Sequence, residues 1–306
     1  MISSQERKDC RAHLQPGQEL ARAALRFARV PRPRKWFALL ALLAALANAQ
    51  WLNYSTPGVP RTRDGKPNLA APVPRAPGGK PDLSGVWHVQ PTGEAEMKRI
   101  FGENVGIVDV PGMEIDTISK YALNILADFK PEESPMRPAA AEILRRRKAT
   151  DFPPTNCLPS GIPFYGLVSE PVRIVQSPAL IVVISEGDTA RQIHTDGRAF
   201  PREFAQPSWM GYSIGRWEGD TLVVETAGFN DKSWLDGMGH PHSEALRVVE
   251  RYHRRDFGHM DVEMTFEDPQ MYAKPFTIKV TEELQPDSDV FEYLCNEDEK
   301  DRSHLR

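Results

Sequence analysis

The chain has 306 residues, of which 40% are hydrophobic, 26% charged and 8% aromatic. This composition supports a buried core and excludes a disordered tail or a coiled coil. The 27 prolines and 21 glycines argue against a bundle of long helices and favour a chain that turns often between short strands.

Residues 1–49 have the features of an export signal. A basic flank precedes an apolar run at residues 36–47, and residues 47–49 read Ala-Asn-Ala, the small-x-small pattern that signal peptidases cut. The apolar run is shorter than the roughly 20 residues that a membrane-spanning helix requires. We therefore expect cleavage after Ala49, a periplasmic or secreted location and no stable membrane span.

Removal of the signal changes the charge balance. It leaves 29 basic and 39 acidic side chains, a net charge of about −10 with histidine neutral. A nucleic-acid partner is therefore not expected. The one dense basic run, residues 145–148, fits the solvated carboxyl end of a helix.

Cys157 and Cys295 are the two cysteines beyond the signal. In an oxidising compartment we expect a disulfide bond between them, which would connect the start of the strand-rich region to its end. A nucleophilic thiol is the alternative, but it requires a positively charged, partly exposed setting that the adjacent residues do not provide.

Residues 50–81 form a Pro- and Gly-rich linker with an internal repeat. The pattern of residues 60–69 recurs at residues 74–83, with Arg61 matched by Arg75 and Gly65 matched by Gly79. Two copies are too few for a repeat fold. We predict an extended tether that lies along the surface of the domain at residues 82–306.

That domain begins with a strand at residues 85–87 and continues with two short helices. The spacing of apolar residues predicts helices at residues 117–129 and 136–148, in an insertion that covers about 117–148. Beyond residue 172 the hydrophobic period changes to two, as in strands. The predicted strands are residues 172–175, 180–184, 191–194, 212–217, 221–226, 247–254, 260–267, 276–282 and 290–294.

Consecutive hairpins without a helical crossover favour a mostly β fold. Closure of such a sheet removes its exposed edges, so we predict an antiparallel up-and-down β-barrel rather than a sandwich. A small barrel of this type is filled by side chains or encloses one ligand-sized cavity.

Several longer strings match a known family. They are DLSGVW at residues 82–87, CLP at 157–159, RWEGDTLVVET at 216–226, GHPHSEAL at 239–246 and CNE at 295–297. Through these strings the chain resembles a family of exported bacterial proteins without an assigned activity. The resemblance implies export and a lipocalin-like (calycin-like) barrel whose first strand carries Trp87, and it brings no catalytic residues.

The GHPHSEAL string contains candidate metal ligands. His240, His242 and Glu244 are separated by two residues each, so an extended backbone would direct all three to one side. Two imidazoles and a carboxylate can bind zinc or non-haem iron. The alternative is a loop in which the histidines bond to backbone carbonyls and Glu244 pairs with Arg247.

A second candidate site lies on the preceding strand and loop. Glu225 would be a general base if it pointed into the barrel, with His240 or His242 as the partner acid. It can equally lie opposite Tyr212 on the solvent face. The candidate ligand-binding residues around it, at the mouth or the end of the barrel, are Arg216, Trp217, Trp234 and Asp236.

These observations leave three functions open. The first is an exported barrel that binds a small, partly apolar molecule in its interior. The second is an enzyme of the isomerase, cyclase or hydrolase type that uses the His/Glu site, with or without a metal. The third is an envelope interaction module whose repeat-bearing arm recruits a partner. Serine-hydrolase and nucleotide-binding motifs are absent from the sequence.

Overall fold

A computed structural model describes residues 54–102, 117–168, 170–204 and 206–295. The expected signal segment and the last two residues of the CNE string lie outside these ranges.

Nine strands form a closed barrel, and strands that are consecutive in the chain are neighbours in the barrel. The last strand pairs with the first and closes the sheet, as the sequence predicts. The strands are β1 (Gly85–Val89), β2 (Val172–Gln176), β3 (Leu180–Ser185), β4 (Arg191–His194), β5 (Tyr212–Glu218), β6 (Thr221–Ala227), β7 (Arg247–Arg254), β8 (His259–Glu267) and β9 (Phe276–Leu284).

Two details differ from the prediction. The β4–β5 pair is parallel, whereas all other pairs are antiparallel, because residues 195–211 carry the chain back along the barrel before β5 begins. The strand predicted at residues 290–294 is wrong, and this segment has no regular structure. Since β9 already pairs with β8 on one side and β1 on the other, no free sheet edge remains for it.

Within the described ranges, three short α-helices precede β2. They are α1 (Glu94–Phe101), α2 (Lys120–Leu123) and α3 (Pro138–Arg146). The helix predicted at residues 117–129 reduces to α2, because Asn124 and Asp236 accept the backbone N–H groups of Leu126 and Ile125 and end the helix. Among the residues that the structure describes, no helix combines the length and apolar character needed to cross a membrane.

The core fills the barrel with alternate side chains of each strand. On β8, Met260, Val262, Met264 and Phe266 are buried, and the residues between them face outward. Burial of each such side chain contributes about 1.5–3 kcal/mol. Trp87 of β1 is fully buried and donates its indole N–H to the carbonyl of Leu83 at 2.9 Å.

The two repeats of the linker fold into matching turns on the barrel surface. One turn is closed by a bridge between Arg61 and Pro67, the other by a bridge between Arg75 and Pro81. Each arginine then pairs with a carboxylate of the barrel segment, Arg61 with Asp287 and Arg75 with Asp220, both at 2.7 Å. Because both turns are anchored, the segment follows the surface of the domain.

The expected disulfide is present. Cys157 and Cys295 are joined, with their Cα atoms 5.6 Å apart. The bond ties residues 157–168, which cover one end of the barrel, to the segment that follows β9.

Candidate functional site

The predicted residues Trp234, Asp236, His240 and His242 lie together in the buried loop between β6 and β7. Asp236 is fully buried, and one of its carboxylate oxygens accepts the backbone N–H groups of Gly239 and His240. The other oxygen accepts the N–H of Ile125 at 2.6 Å and lies 2.5 Å from Nδ1 of His240. Asp236 therefore fixes both the conformation of the loop and its contact with the α2 region.

His242 forms a second hydrogen-bonded group in the same loop. Its Nε2 lies 2.7 Å from the hydroxyl oxygen of Ser233, and its Nδ1 lies 3.2 Å from the carbonyl oxygen of Ser243. Burial lowers the pKa of His242, so the ring is neutral near pH 7. A serine beside a neutral imidazole resembles a nucleophile and its base, but both side chains are almost completely buried. They satisfy each other's polar atoms within the core.

The third candidate metal ligand does not share this environment. Glu244 is exposed, whereas His240 and His242 are buried and hydrogen-bonded to Asp236 and Ser233. Within the described ranges, no group of three or more His, Cys, Asp or Glu side chains is placed to hold a metal ion. The structure thus buries the two imidazoles, whereas Glu244 of the same loop is exposed.

Glu225 lies on the outer face of β6. It forms an ion pair with Arg216 and stands opposite Ile214 of β5, not opposite Tyr212. The residues that alternate with it, Val224 and Thr226, are buried. Glu225 therefore does not point into the barrel, as the predicted general base would have to do.

The two tryptophans predicted to bind a ligand pack against other side chains of the protein. Trp217 is half-buried at the end of β5 and packs against the core. Trp234 is buried beneath the guanidinium of Arg147, which lies 4.9 Å from the ring and donates to the carbonyl of Gly239 at 2.8 Å. The sequence predicts that residues 145–148 are solvated, but the side chain of Arg147 packs on the loop between β6 and β7.

The barrel interior contains a charged pair that the sequence analysis missed. Arg191 of β4 and Glu250 of β7 are both buried and form a two-pronged ion pair. The remaining guanidinium N–H groups donate to Ser213, Thr226 and Tyr165. All five donors of Arg191 are therefore used.

Glu250 is satisfied by the same network. The hydroxyl of Tyr252 donates to it at 2.7 Å, in addition to the two bonds from Arg191. Burial disfavours the charge of Arg191, but the neighbouring carboxylate outweighs it and raises the pKa well above its usual value. The pair is electrically neutral as a unit and leaves no charge for another partner.

Glu282 of β9 is different, because it is buried without a partner. Its exposed fraction is 6%, and among the described residues no side chain or backbone group forms a hydrogen bond or ion pair with its carboxyl. Its neighbours across the sheet are Met260 of β8 and Val89 of β1. Burial raises the pKa of Glu282 to about 8, so the carboxyl is protonated near neutral pH.

This carboxyl faces a small cavity inside the barrel. The cavity has a volume of about 30 Å³, enough for one or two waters or a small chemical group, because side chains fill the rest of the interior. Its lining combines aromatic rings, thioethers and aliphatic groups with the carboxyls of Glu250 and Glu282. The principal lining residues are Trp87, Tyr165, Val183, Glu250, Tyr252, Met260, Met264 and Glu282.

A larger cleft of about 470 Å³ lies on the outer side of the segment that covers the barrel end. Tyr165 lines both the cleft and the inner cavity, so a single side chain belongs to the wall between them. The disulfide Cys157–Cys295 borders the cleft. Asp188 also borders it and accepts the hydroxyl and the backbone N–H of Ser160, while burial raises the pKa of its carboxyl.

One signal in the sequence could have found these interior residues. In β9, every second residue from Phe276 to Val280 is apolar, and Glu282 occupies the next position of that alternation. Glu250 likewise follows Val248 in the buried phase of β7. A charged residue in the inward phase of a strand marks a polar group inside the barrel.

No protein-family model, curated protein or solved structure matches the chain.

Proposed function

We propose that the barrel binds a small, partly apolar molecule in its interior and that the carboxyl of Glu282 anchors it. The observation that carries this proposal is the lack of any partner for this buried carboxyl, which faces the cavity. A buried polar group without a hydrogen bond costs about 1–3 kcal/mol, and a ligand that supplies the missing partner recovers that cost. Buried acids with strongly shifted pKa values also concentrate at functional sites.

The lining of the cavity supports a ligand of mixed polarity. Trp87, Met260 and Met264 offer apolar and polarisable contacts, and Glu282 offers one polar contact. Ligand sites typically combine a mainly apolar wall with few polar groups. The inner cavity alone accepts only a small group, so the rest of a larger ligand would extend past Tyr165 into the outer cleft.

Three further assignments belong to this proposal. The barrel is of the lipocalin-like kind, supported by its sequential closed sheet and by Trp87 on the first strand. The chain belongs to the exported family whose strings it carries, and it works in the periplasm or outside the cell after cleavage behind Ala49. The bond between Cys157 and Cys295 is compatible with such an oxidising location.

The two other functions have less support. A catalytic site in the loop would need accessible imidazoles, but His240 and His242 are buried, and both ring nitrogens of His242 and Nδ1 of His240 are bonded within the loop. An arm that recruits a partner would need free turns, but both turns of the linker are anchored to the domain through Arg61 and Arg75.

Methionine methyl groups provide a direct test. In protein labelled at the methionine methyls, a set of small alcohols, amines, amides and acids is added, and carbon–proton spectra are recorded. Binding in the interior shifts the signals of Met260 and Met264, which line the cavity, and leaves that of the exposed Met238 unchanged. If no compound of the set shifts the two interior signals, the proposal is wrong.

A further inference from the structure

Among the described polar side chains in and around the barrel interior, the arginines have hydrogen-bond partners, whereas the carboxyl of Glu282 has none. Arg191 and Glu250 neutralise each other, and the hydroxyl of Tyr252 is used by Glu250. Arg254 packs over Trp87 at 4.8 Å, but its guanidinium donates to the backbone carbonyls of Asp82, Asp256 and Phe257. No cation of the described residues is thus left to pair with Glu282.

We infer that the ligand of the interior is a primary amine or another small organic cation, whose positive group pairs with the carboxyl of Glu282; this inference rests on the proposed function. A cation would supply the positive charge that none of the described residues provides for Glu282. A charge-assisted bond to a carboxylate is stronger than a bond between neutral groups. The rings of Trp87 and Tyr165 line the same cavity, and aromatic rings can attract a cation.

The outer cleft supports the same ligand class independently. Its described lining includes the carboxyl side chains of Glu186 and Asp188, and it includes no lysine, arginine or histidine. A cleft lined by one sign of charge concentrates ligands of the opposite sign. A cation that reaches the cleft therefore approaches Tyr165, the residue shared with the inner cavity.

Proton release follows from this pairing. Near pH 7 the carboxyl of Glu282 is protonated, so binding of an ammonium group displaces that proton to solvent. The other titratable or charged side chains around the cavity and its polar network are Tyr165 of the covering segment, Arg191 of β4, and Glu250 and Tyr252 of β7. The elements β1 and β8 contribute Trp87, Met260 and Met264, which do not titrate. Affinity for the amine is therefore expected to rise with pH up to about 8 and then level off.

Three probes of equal length test the ligand class. Binding of n-propylammonium, n-propanol and propionate to the full chain is followed at pH 8 through the methyl signals of Met260 and Met264. We expect propylammonium to bind at least about tenfold more tightly than propanol, because of its charge-assisted bond. Propionate should bind more weakly than either, since its negative charge repels the ionised form of Glu282.

Matched variants connect the effect to one carboxyl. Glu282→Gln should reduce binding of propylammonium to the level of propanol, whereas Glu283→Gln, on the outer face of the same strand, should leave it unchanged. If Glu282→Gln does not fold, the wild-type pH profile replaces it, since only propylammonium should bind more tightly at pH 8 than at pH 6. Equal binding of propanol and propylammonium, or a preference for propionate, would overturn the amine assignment while interior binding stands. No shift with any probe would overturn both.

Discussion

Glu282 and Glu283 are consecutive carboxyl side chains of β9 that lie on opposite faces of the barrel wall. Glu282 is buried and faces the interior cavity, whereas Glu283 accepts a hydrogen bond from Gln90 at 3.4 Å on the outer surface. The two residues have the same chemistry and differ in surroundings. They therefore form a matched pair for separating the effect of the cavity from the effect of a carboxylate in this strand.

The stability of Glu282→Gln relative to the wild type should depend on pH. Burial raises the pKa of Glu282 to about 8 in the folded state from its ordinary value of 4.5, so the folded chain retains a proton that the unfolded chain loses. Wild-type stability therefore falls as pH rises between these values, by up to about 1.4 kcal/mol per pH unit. Since glutamine does not titrate, urea unfolding should show the variant gaining on the wild type from pH 5 to pH 8.

Glu283→Gln is the control for this series. Its difference from the wild type should change little over the same range, because water solvates the carboxylate on the outer face. A parallel pH dependence in the two variants would show that the cavity is not its source.

The buried pair should behave as a coupled unit. Arg191→Met leaves Glu250 as an unpaired buried charge, and we expect it to lower the free energy of unfolding by about 3–5 kcal/mol. Adding Glu250→Gln removes that charge and should restore part of the loss. A double-mutant cycle measured by urea unfolding checks the coupling, and strictly additive losses would contradict the network described here.

The disulfide should stabilise the fold through the covering segment. Replacement of Cys157 and Cys295 by serine is expected to cost about 2–4 kcal/mol, because the unfolded chain gains freedom without the cross-link. Urea unfolding of the double variant, compared with the wild type under oxidising and reducing conditions, measures this. The double variant should be insensitive to reductant, and an unchanged midpoint in the variant would exclude a stabilising role.

The Asp236 contacts should hold the loop between β6 and β7 onto the α2 region. Asp236→Asn replaces one accepting oxygen with an NH₂ group, and we expect a loss of about 1–3 kcal/mol because buried donors lose their acceptor. Amide exchange should accelerate at Ile125, Gly239 and His240. Asp231→Asn, an exposed position in the same loop, serves as the control, and equal effects of the two changes would argue against the anchoring role.

The strands of the barrel could be predicted well because the alternation of apolar and polar residues is visible within each strand. Alternation in β8, between Met260 and Phe266, and short turns such as the one at Gly219 are local features, and they located most strands. Closure was predicted because it removes exposed sheet edges. The parallel β4–β5 pair depends on the path of residues 195–211, which carries no periodic signal. The strand predicted at residues 290–294 was wrong because β1 and β8 already pair with both sides of β9.

The candidate site was harder to predict. The predicted residues Asp236, His240 and His242 do come together, yet the hydrogen bonds of the two imidazoles are made within the loop, and Asp236 also binds the backbone of Ile125. Arg191, Glu250 and Glu282 are far apart in the chain, and only closure of the barrel places them around one interior. A lone glutamate in an apolar phase is visible in the sequence, but its lack of a partner is a property of the fold.

The titration of Glu282 tests the central claim most directly. Carbon NMR of glutamate labelled at the side-chain carboxyl, recorded from pH 4 to pH 10, should show one signal that titrates near 8, disappears in Glu282→Gln and shifts to lower pH when n-propylammonium is added. If every glutamate signal titrates near the ordinary value of 4.5, or if the amine leaves the late-titrating signal unmoved, Glu282 is not the anchor of a ligand inside the barrel.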